Sequence, residues 1–281
     1  MAAKRLRAGD LEIAYDDVGS GERPLVLVHG FTGYRRDFET QLPALAGLGR
    51  TLAPDLRGHG ETGRAADPAT YTLAQLAEDL LGFLDALGVA RCDLLGHSLG
   101  GMVALRAALR APERVASLVL MDSAARALGF LPADPFRLAW AVARGAGMAK
   151  LQAIVRERAG SDALRTQADR RLERDWGPEL YWARHRDRFC AVDPEAYAGL
   201  GRELLEQESL VPRLGGIRCP TLVLVGEGDL AFVPEAEILA KGIAHAQRAV
   251  VPDAGHQPQL ESPGAWLAAI REHLARARGD V

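Results

Sequence analysis

The segment Gly96-His97-Ser98-Leu99-Gly100-Gly101 carries the pattern G-x-S-x-G between an apolar run at Leu94-Leu95 and an amphipathic stretch from Leu99 to Leu109. In that setting the pattern predicts a serine on a tight strand-to-helix turn. Glycine is needed beside it because larger side chains would collide with the neighbouring strand and helix. Ser98 then projects above the sheet edge. The following helix aims its positive end at the same place, and the Leu99 N–H is set to donate to a developing oxyanion. A second loop, Val28-His29-Gly30-Phe31-Thr32-Gly33, leaves an earlier apolar run. Its Phe31 N–H is the candidate second donor, and the Phe31 ring would shape one wall of an acyl pocket.

A hydroxyl attacks a carbonyl near neutral pH only if a base takes its proton. Of the seven histidines, His256 is best placed, in Asp253-Ala254-Gly255-His256 after the last apolar run, where glycine lets the ring swing toward the strand ends. His29, His59 and His97 read as loop-structuring or packing residues, and His185, His245 and His273 as surface residues of helical segments. The imidazole needs a carboxylate to orient it and stabilise its charge. Asp229, just beyond the run Leu222 to Val225, gives the chain order Ser, Asp, His expected on successive strand ends. Asp122, directly after Leu118 to Met121, is a rival at another strand end. Asp93 and Asp253 read as turn residues.

Positioning these groups requires a parallel sheet, which the alternation of short apolar runs with helical segments implies. The runs are Leu25 to Val28, Thr51 to Ala53, Leu94 to Leu95, Leu118 to Met121, Leu222 to Val225 and Ala249 to Val251. Helical patterns lie at Leu73 to Leu87, Leu99 to Leu109, Pro234 to Ala244 and Gly264 to Ala277. Arg5 to Arg7 and Glu12 to Tyr15, around Gly9-Asp10, read as an antiparallel hairpin at the sheet edge. From about Ala124 to Leu214 no convincing strand occurs and helical spacing dominates. The chain therefore divides into a core, 1–123 with 215–281, and a helical insertion at 124–214. That insertion holds three of the four tryptophans, Trp140, Trp176 and Trp182, which are candidates to line a substrate pocket against the sheet.

With 281 residues, 48% of them hydrophobic and 25% charged, the chain can bury a large core, and its net charge of −3 without a basic run argues against nucleic acid. The basic start MAAKRLRAGD is not followed by an apolar leader, and no window is apolar enough to span a membrane, so a cytoplasmic protein is expected. Cys92, Cys190 and Cys219 lack paired spacing and read as buried small hydrophobes rather than disulfide or zinc ligands. Gly226-Glu227-Gly228-Asp229-Leu230-Ala231 also fits a dinucleotide-binding turn, but Asp229 would face the pyrophosphate and Pro234 starts the helix too late. No nucleotide-loop or HExxH pattern competes, so neither cofactor nor metal is expected.

The motifs HGF, RGHG at Arg57 to Gly60, GHSLGG, GEGD and the late GH together make the sequence similar to the α/β-hydrolase fold superfamily over nearly its whole length. The resemblance implies an eight-stranded, mostly parallel, doubly wound sheet with a helical cap inserted after the sixth strand, and cofactor-free attack by Ser98. It also implies that Asp55, Arg57, Gly58, His59 and Gly60 build a supporting loop. Serine rather than aspartate at the elbow points away from epoxide hydrolases and haloalkane dehalogenases. Hydrolysis of a small apolar carboxylic ester or lactone is the first expectation. Similar chains also hydrolyse carbon–carbon bonds, carry out perhydrolysis, or eliminate in menaquinone biosynthesis, where an arginine usually stands in place of Met102. A non-enzymatic ligand receptor on the same capped fold is the expectation from another class.

Overall fold

The computed structural model describes residues 3–158 and 166–279. The expected hairpin forms from β1 (Lys4–Ala8) and β2 (Leu11–Val18). There follow β3 (Leu25–Val28), α1 (Leu42–Ala46), β4 (Thr51–Pro54), α2 (Leu73–Ala86), β5 (Cys92–His97), α3 (Leu99–Arg110) and β6 (Val115–Met121). The helical insertion comes next, with α4 (Ala133–Ala146), α5 (Met148–Arg158), α6 (Gln167–Trp176), α7 (Pro178–Cys190) and α8 (Pro194–Glu206). The chain returns to the sheet as β7 (Thr221–Gly226), α9 (Val233–Gly242), β8 (Ala246–Val251), α10 (Pro258–Glu261) and α11 (Pro263–Arg278).

The strands form one eight-stranded sheet in the order β1-β2-β4-β3-β5-β6-β7-β8, antiparallel at β1–β2 and β2–β4 and parallel beyond. Every residue of β3, β5, β6 and β7 is buried, which is why these strands read as continuous apolar runs rather than alternating ones. Alternation survives in which face each side chain joins. Val26, Val28, Leu94, Leu118, Leu120 and Val223 pack toward α2, α3 and α9, whereas Leu25, Leu27, Leu95, Val119, Met121 and Leu222 pack with Trp266 and Ile270 of α11. The strand ends thus share one edge, and the loops leaving β3, β5, β6, β7 and β8 meet there.

The insertion packs α4 on α5 and α8, and α5 on α7. It is tied to the loop after β4, where the Asp193 N–H donates to the Gly58 carbonyl and the Gly60 N–H to the Ala191 carbonyl, each at 2.8 Å. That loop is itself braced. Asp55 accepts from the Arg35 N–H (2.7 Å), the Arg35 Nη1 (3.0 Å) and the Glu61 N–H (2.9 Å), while Arg57 pairs with Asp79 and Asp10. No described helix is long and apolar enough to cross a membrane.

Several single-residue expectations change. Cys92 is buried, but Cys190, at the end of α7, is exposed and Cys219 is intermediate. His273 is buried on α11, its imidazole lowered by burial to about 4, and His245 sits in a turn rather than a helix. Asp93 lies within β5, fully buried, where it accepts from Ser117 Oγ and pairs with Arg278 and Arg23. One-residue propensity marks Asp93 as a turn former, but two arginines make the strand site habitable.

The crossing of α3 beneath the sheet leaves no room for side chains on two of its first-turn residues. A Cβ on Gly100 would enter the Val28 and His29 carbonyls, and one on Gly101 would enter Ser123. Gly100→Ala should therefore destabilise the protein by about 3 kcal/mol, the upper range for overpacking against atoms that cannot move aside, read as a lower urea midpoint. A midpoint equal to the parent's would contradict this packing.

Candidate active site

Ser98 sits at the junction of β5 and α3 with φ +53° and ψ −118°, a backbone conformation that side-chain-bearing residues rarely adopt. The turn is held from several sides. The Ser98 N–H donates to the Met121 carbonyl (2.8 Å), and Ser123 Oγ donates to the Ser98 carbonyl (2.7 Å). A Cβ on Gly96 would strike Gly100, so the tight turn depends on glycine there. The strain is offset by this surrounding network, a pattern found at functional positions.

His256 reaches Ser98 from the loop after β8. Its Nε2 lies 3.1 Å from Ser98 Oγ and its Nδ1 2.7 Å from Asp229 Oδ2. Phe232 packs on one side of the imidazole, ring centroids 4.8 Å apart, and His97 on another at 5.0 Å. His97 Nε2 also donates to the His256 carbonyl (2.7 Å), so a buried neutral histidine anchors the backbone of a half-buried one. Burial, followed by the His256 charge, holds the His97 imidazole well below its ordinary range.

Glu261 of α10 completes this loop and carries no signal in the sequence pattern. Its Oε2 accepts the N–H groups of Gly255 (2.7 Å) and Gln257 (3.0 Å), the two residues flanking His256. The carboxyl is buried, which lifts its pKa to about 7 against the pull of those two N–H donors.

The loop after β3 lies against the serine: a Cβ on Gly30 would come within 3.3 Å of Ser98 Cβ. His29 sets its direction. Its Nε2 accepts the Leu56 N–H (3.0 Å), so Nδ1 carries the proton and donates to the Gly30 carbonyl (2.9 Å). Across a trans peptide, fixing that carbonyl aims the Phe31 N–H the opposite way. The Phe31 carbonyl is in turn held by His59 Nε2 (2.8 Å). Leu99 is the first residue of α3, whose N–H has no partner within the helix. Among the described residues neither the Phe31 nor the Leu99 N–H has a protein acceptor.

A cavity of about 540 Å³ opens beside His256, walled by Thr32, Phe136, Leu138, Leu151, Trp182, Phe189 and Tyr197. The three tryptophans separate here. Trp182 lines this cavity and its Nε1 donates to Glu173 (2.8 Å). Trp176 lines a smaller cleft of about 220 Å³ between α7 and the loop after β3, under the Arg184 guanidinium. Trp140 stands behind the cavity wall, its ring against Phe136 (5.9 Å), which packs on Phe31. His185, expected at the surface, is half-buried and lines the cavity. Arg188 lies where the two spaces meet, paired with buried Asp37 (3.0 Å) and donating to Gln257 Oε1 (2.6 Å). Burial raises Asp37 to about 6 although Arg188 opposes the shift.

Asp122, the rival acid, accepts the Gly226 N–H through Oδ1 (2.9 Å) and makes no hydrogen bond to His256. With Asp229 and His256 it forms a group of potential ligand atoms within 4.8 Å of one another, but the 2.7 Å His256–Asp229 contact is a hydrogen-bond distance with the proton on Nδ1.

Residues 23–263 match the model of the alpha/beta hydrolase fold family. The chain belongs to that family. The 2-hydroxymuconate semialdehyde hydrolase of Pseudomonas sp. (strain CF600) is 30% identical, over 98% of this chain and 94% of its own. Among solved structures, the enol-lactonase of Burkholderia xenovorans LB400 is 29% identical with a TM-score of 0.83, covering 97% of this chain and 100% of its own. A thermophilic esterase from Thermogutta terrifontis is 30% identical with a TM-score of 0.82, at 99% coverage of both. By contrast the chain spans only 28% of the dihydrolipoyllysine-residue acetyltransferase component of the acetoin cleaving system of Pseudomonas putida, at 48% identity over 106 residues.

For this hydrolase-fold protein the raised Glu261 carboxyl makes a linkage prediction. Because the folded state holds the proton more tightly than the unfolded chain, Glu261 contributes stability at low pH that is lost as pH rises through about 7. Glu261→Gln keeps an oxygen acceptor and cannot ionise. The stability of wild type relative to Glu261→Gln should therefore fall between about pH 5 and about pH 8 in chemical denaturation. A pH-independent difference would show that Glu261 is not held in this way.

Proposed function

We propose that this protein is a cofactor-free serine hydrolase that cleaves a carboxylic ester or lactone through a covalent acyl-enzyme. The observation that carries the reading is the continuous hydrogen-bond chain from Asp229 Oδ2 through His256 to Ser98 Oγ, at 2.7 and 3.1 Å. Ser98 Oγ attacks the carbonyl carbon as His256 Nε2 takes its proton, and Asp229 offsets the imidazolium charge. The negative oxygen of the tetrahedral intermediate lies against the Phe31 and Leu99 N–H groups and the positive end of α3. Collapse breaks the bond to the leaving oxygen, which takes the proton from His256. Water, deprotonated by His256, then cleaves the Ser98 ester and releases the acid.

Residues 124–214 act in this reading as a cap over the strand ends of a core made of 1–123 and 215–281. Their apolar wall, with Trp182 in it, receives an uncharged acyl or ring portion. The roles of Trp140 and Trp176 are correspondingly indirect, behind the wall and at the neighbouring cleft. A second reading, hydrolysis of a carbon–carbon bond beside a carbonyl, is favoured by the near full-length similarity to the 2-hydroxymuconate semialdehyde hydrolase. Met102 is wholly buried in the core of α3, so its position offers no group to an anionic substrate.

Ser98→Ala should keep the fold and lower kcat on ester substrates by about 10⁴- to 10⁶-fold, and a fluorophosphonate should label wild type once, on the peptide bearing Ser98. Near-parental turnover in Ser98→Ala sinks the mechanism. Asp229→Asn should cost about 10⁴-fold in kcat, since the amide neither fixes the imidazole tautomer nor offsets its charge. Across p-nitrophenyl esters of rising acyl length, several lactones and a vinylogous 1,5-diketone, turnover should be greatest on esters or lactones. Preference for the diketone would select the carbon–carbon reading, and no turnover at all a receptor. Trp182→Ala should shift the acyl-length preference; an unchanged profile would remove Trp182 from the pocket.

A further inference from the structure

Asp122 is a wholly buried acid at the strand ends that this mechanism leaves unused. It follows β6 in a left-handed conformation, φ +46°, and is stitched to β7 at both ends: its N–H donates to the Leu224 carbonyl and its Oδ1 accepts from Gly226, each at 2.9 Å. Its Oδ2 is buried and receives no donor among the described residues. A carboxylate oxygen of Asp122, one of Asp229 and a ring nitrogen of His256 all lie within 4.8 Å of one another. Two carboxylates this close repel, and Glu261 on α10, a further acid, adds to the repulsion at Asp122. A single proton between them relieves that repulsion.

We propose that Asp122 is a neutral carboxylic acid whose O–H donates to the Asp229 carboxylate, making it a positioning residue for the Ser98–His256–Asp229 chain; the inference rests on the catalytic reading above. The proton resides on Asp122 because Asp229 already accepts from His256 Nδ1 at 2.7 Å and needs its charge there, whereas Asp122 is out of reach of solvent. Burial first, and the Asp229 charge second, push the Asp122 carboxyl well above the usual range, with the Gly226 N–H opposing them. The arrangement holds the plane of Asp229 toward His256 from behind. It also withholds a second anion, which would keep His256 protonated and useless as a base.

Asp122→Ala should lower kcat about 10- to 100-fold with KM changed less than about threefold, and Asp122→Asn, whose amide can still donate to Asp229 and accept from Gly226, should recover most of that loss. The proton is read separately from activity. At neutral pH the infrared difference spectrum of wild type minus Asp122→Asn should contain the C=O stretch of a protonated carboxyl, and the acid limb of kcat/KM should move by less than about 0.3 pH unit between the two. Absence of that band, or an acid limb lowered by about one unit or more in Asp122→Asn, means that Asp122 is ionised in wild type and overturns the proposal. If Asp122→Ala does not fold, Asp122→Asn and the band still decide. Full activity of Asp229→Asn would instead fail the catalytic reading, an outcome distinct from either result at Asp122.

Discussion

The site depends on reversing the chain from a buried strand into a buried helix within a single residue. Ser98 takes up the whole reversal, and its strained backbone persists because the surroundings leave no alternative: Met121 and Ser123 hydrogen-bond its two peptide groups. Gly96, Gly100 and Gly101 let α3 approach β3 and β5 closely enough for this. The same close approach brings the first turn of α3 against the loop from β3, where Gly30 lies beside Ser98.

A second constraint is electrostatic. The strand ends gather His29, His59, His97, Asp122, Asp229, His256 and Glu261 within a mostly dry region, and such groups persist only if neutral, paired or hydrogen-bonded. His29, His59 and His97 are all lowered by burial and serve as uncharged connectors between backbone carbonyls and loops. Glu261 is raised and clamps the backbone on either side of His256. The orientation of the partly exposed His256 is thereby set by buried groups on the loops around it.

The helical insertion relates to this edge differently. Its rings reach the core through Phe31, which stacks on Tyr197 at 4.8 Å and touches Phe136 at 5.9 Å. The loop carrying a candidate oxyanion donor is thus also the seam between the sheet and the apolar cavity.

The sequence by itself determined the strands, the hairpin, the helical insertion and the elbow, because each rests on local rules: apolar run length, helical period and the steric freedom of glycine. It also singled out Ser98, His256 and Asp229, since residues just beyond apolar runs of a parallel sheet must gather at one edge. Only the tertiary structure decided what those local rules do not reach. Asp93 reads as a turn residue until Arg23 and Arg278, remote in sequence, neutralise it inside β5. Trp140, Trp176 and Trp182 are alike in composition, and the packing of α4 through α8 separates one pocket wall from one partly buried support and one outer cleft. Asp122 and Asp229 follow neighbouring strands, and in the sequence chain order alone favours Asp229 over Asp122. A difference of a few ångströms gives one the imidazole and the other a carboxylate for a neighbour, because hydrogen bonds depend on distances that strand spacing alone leaves open.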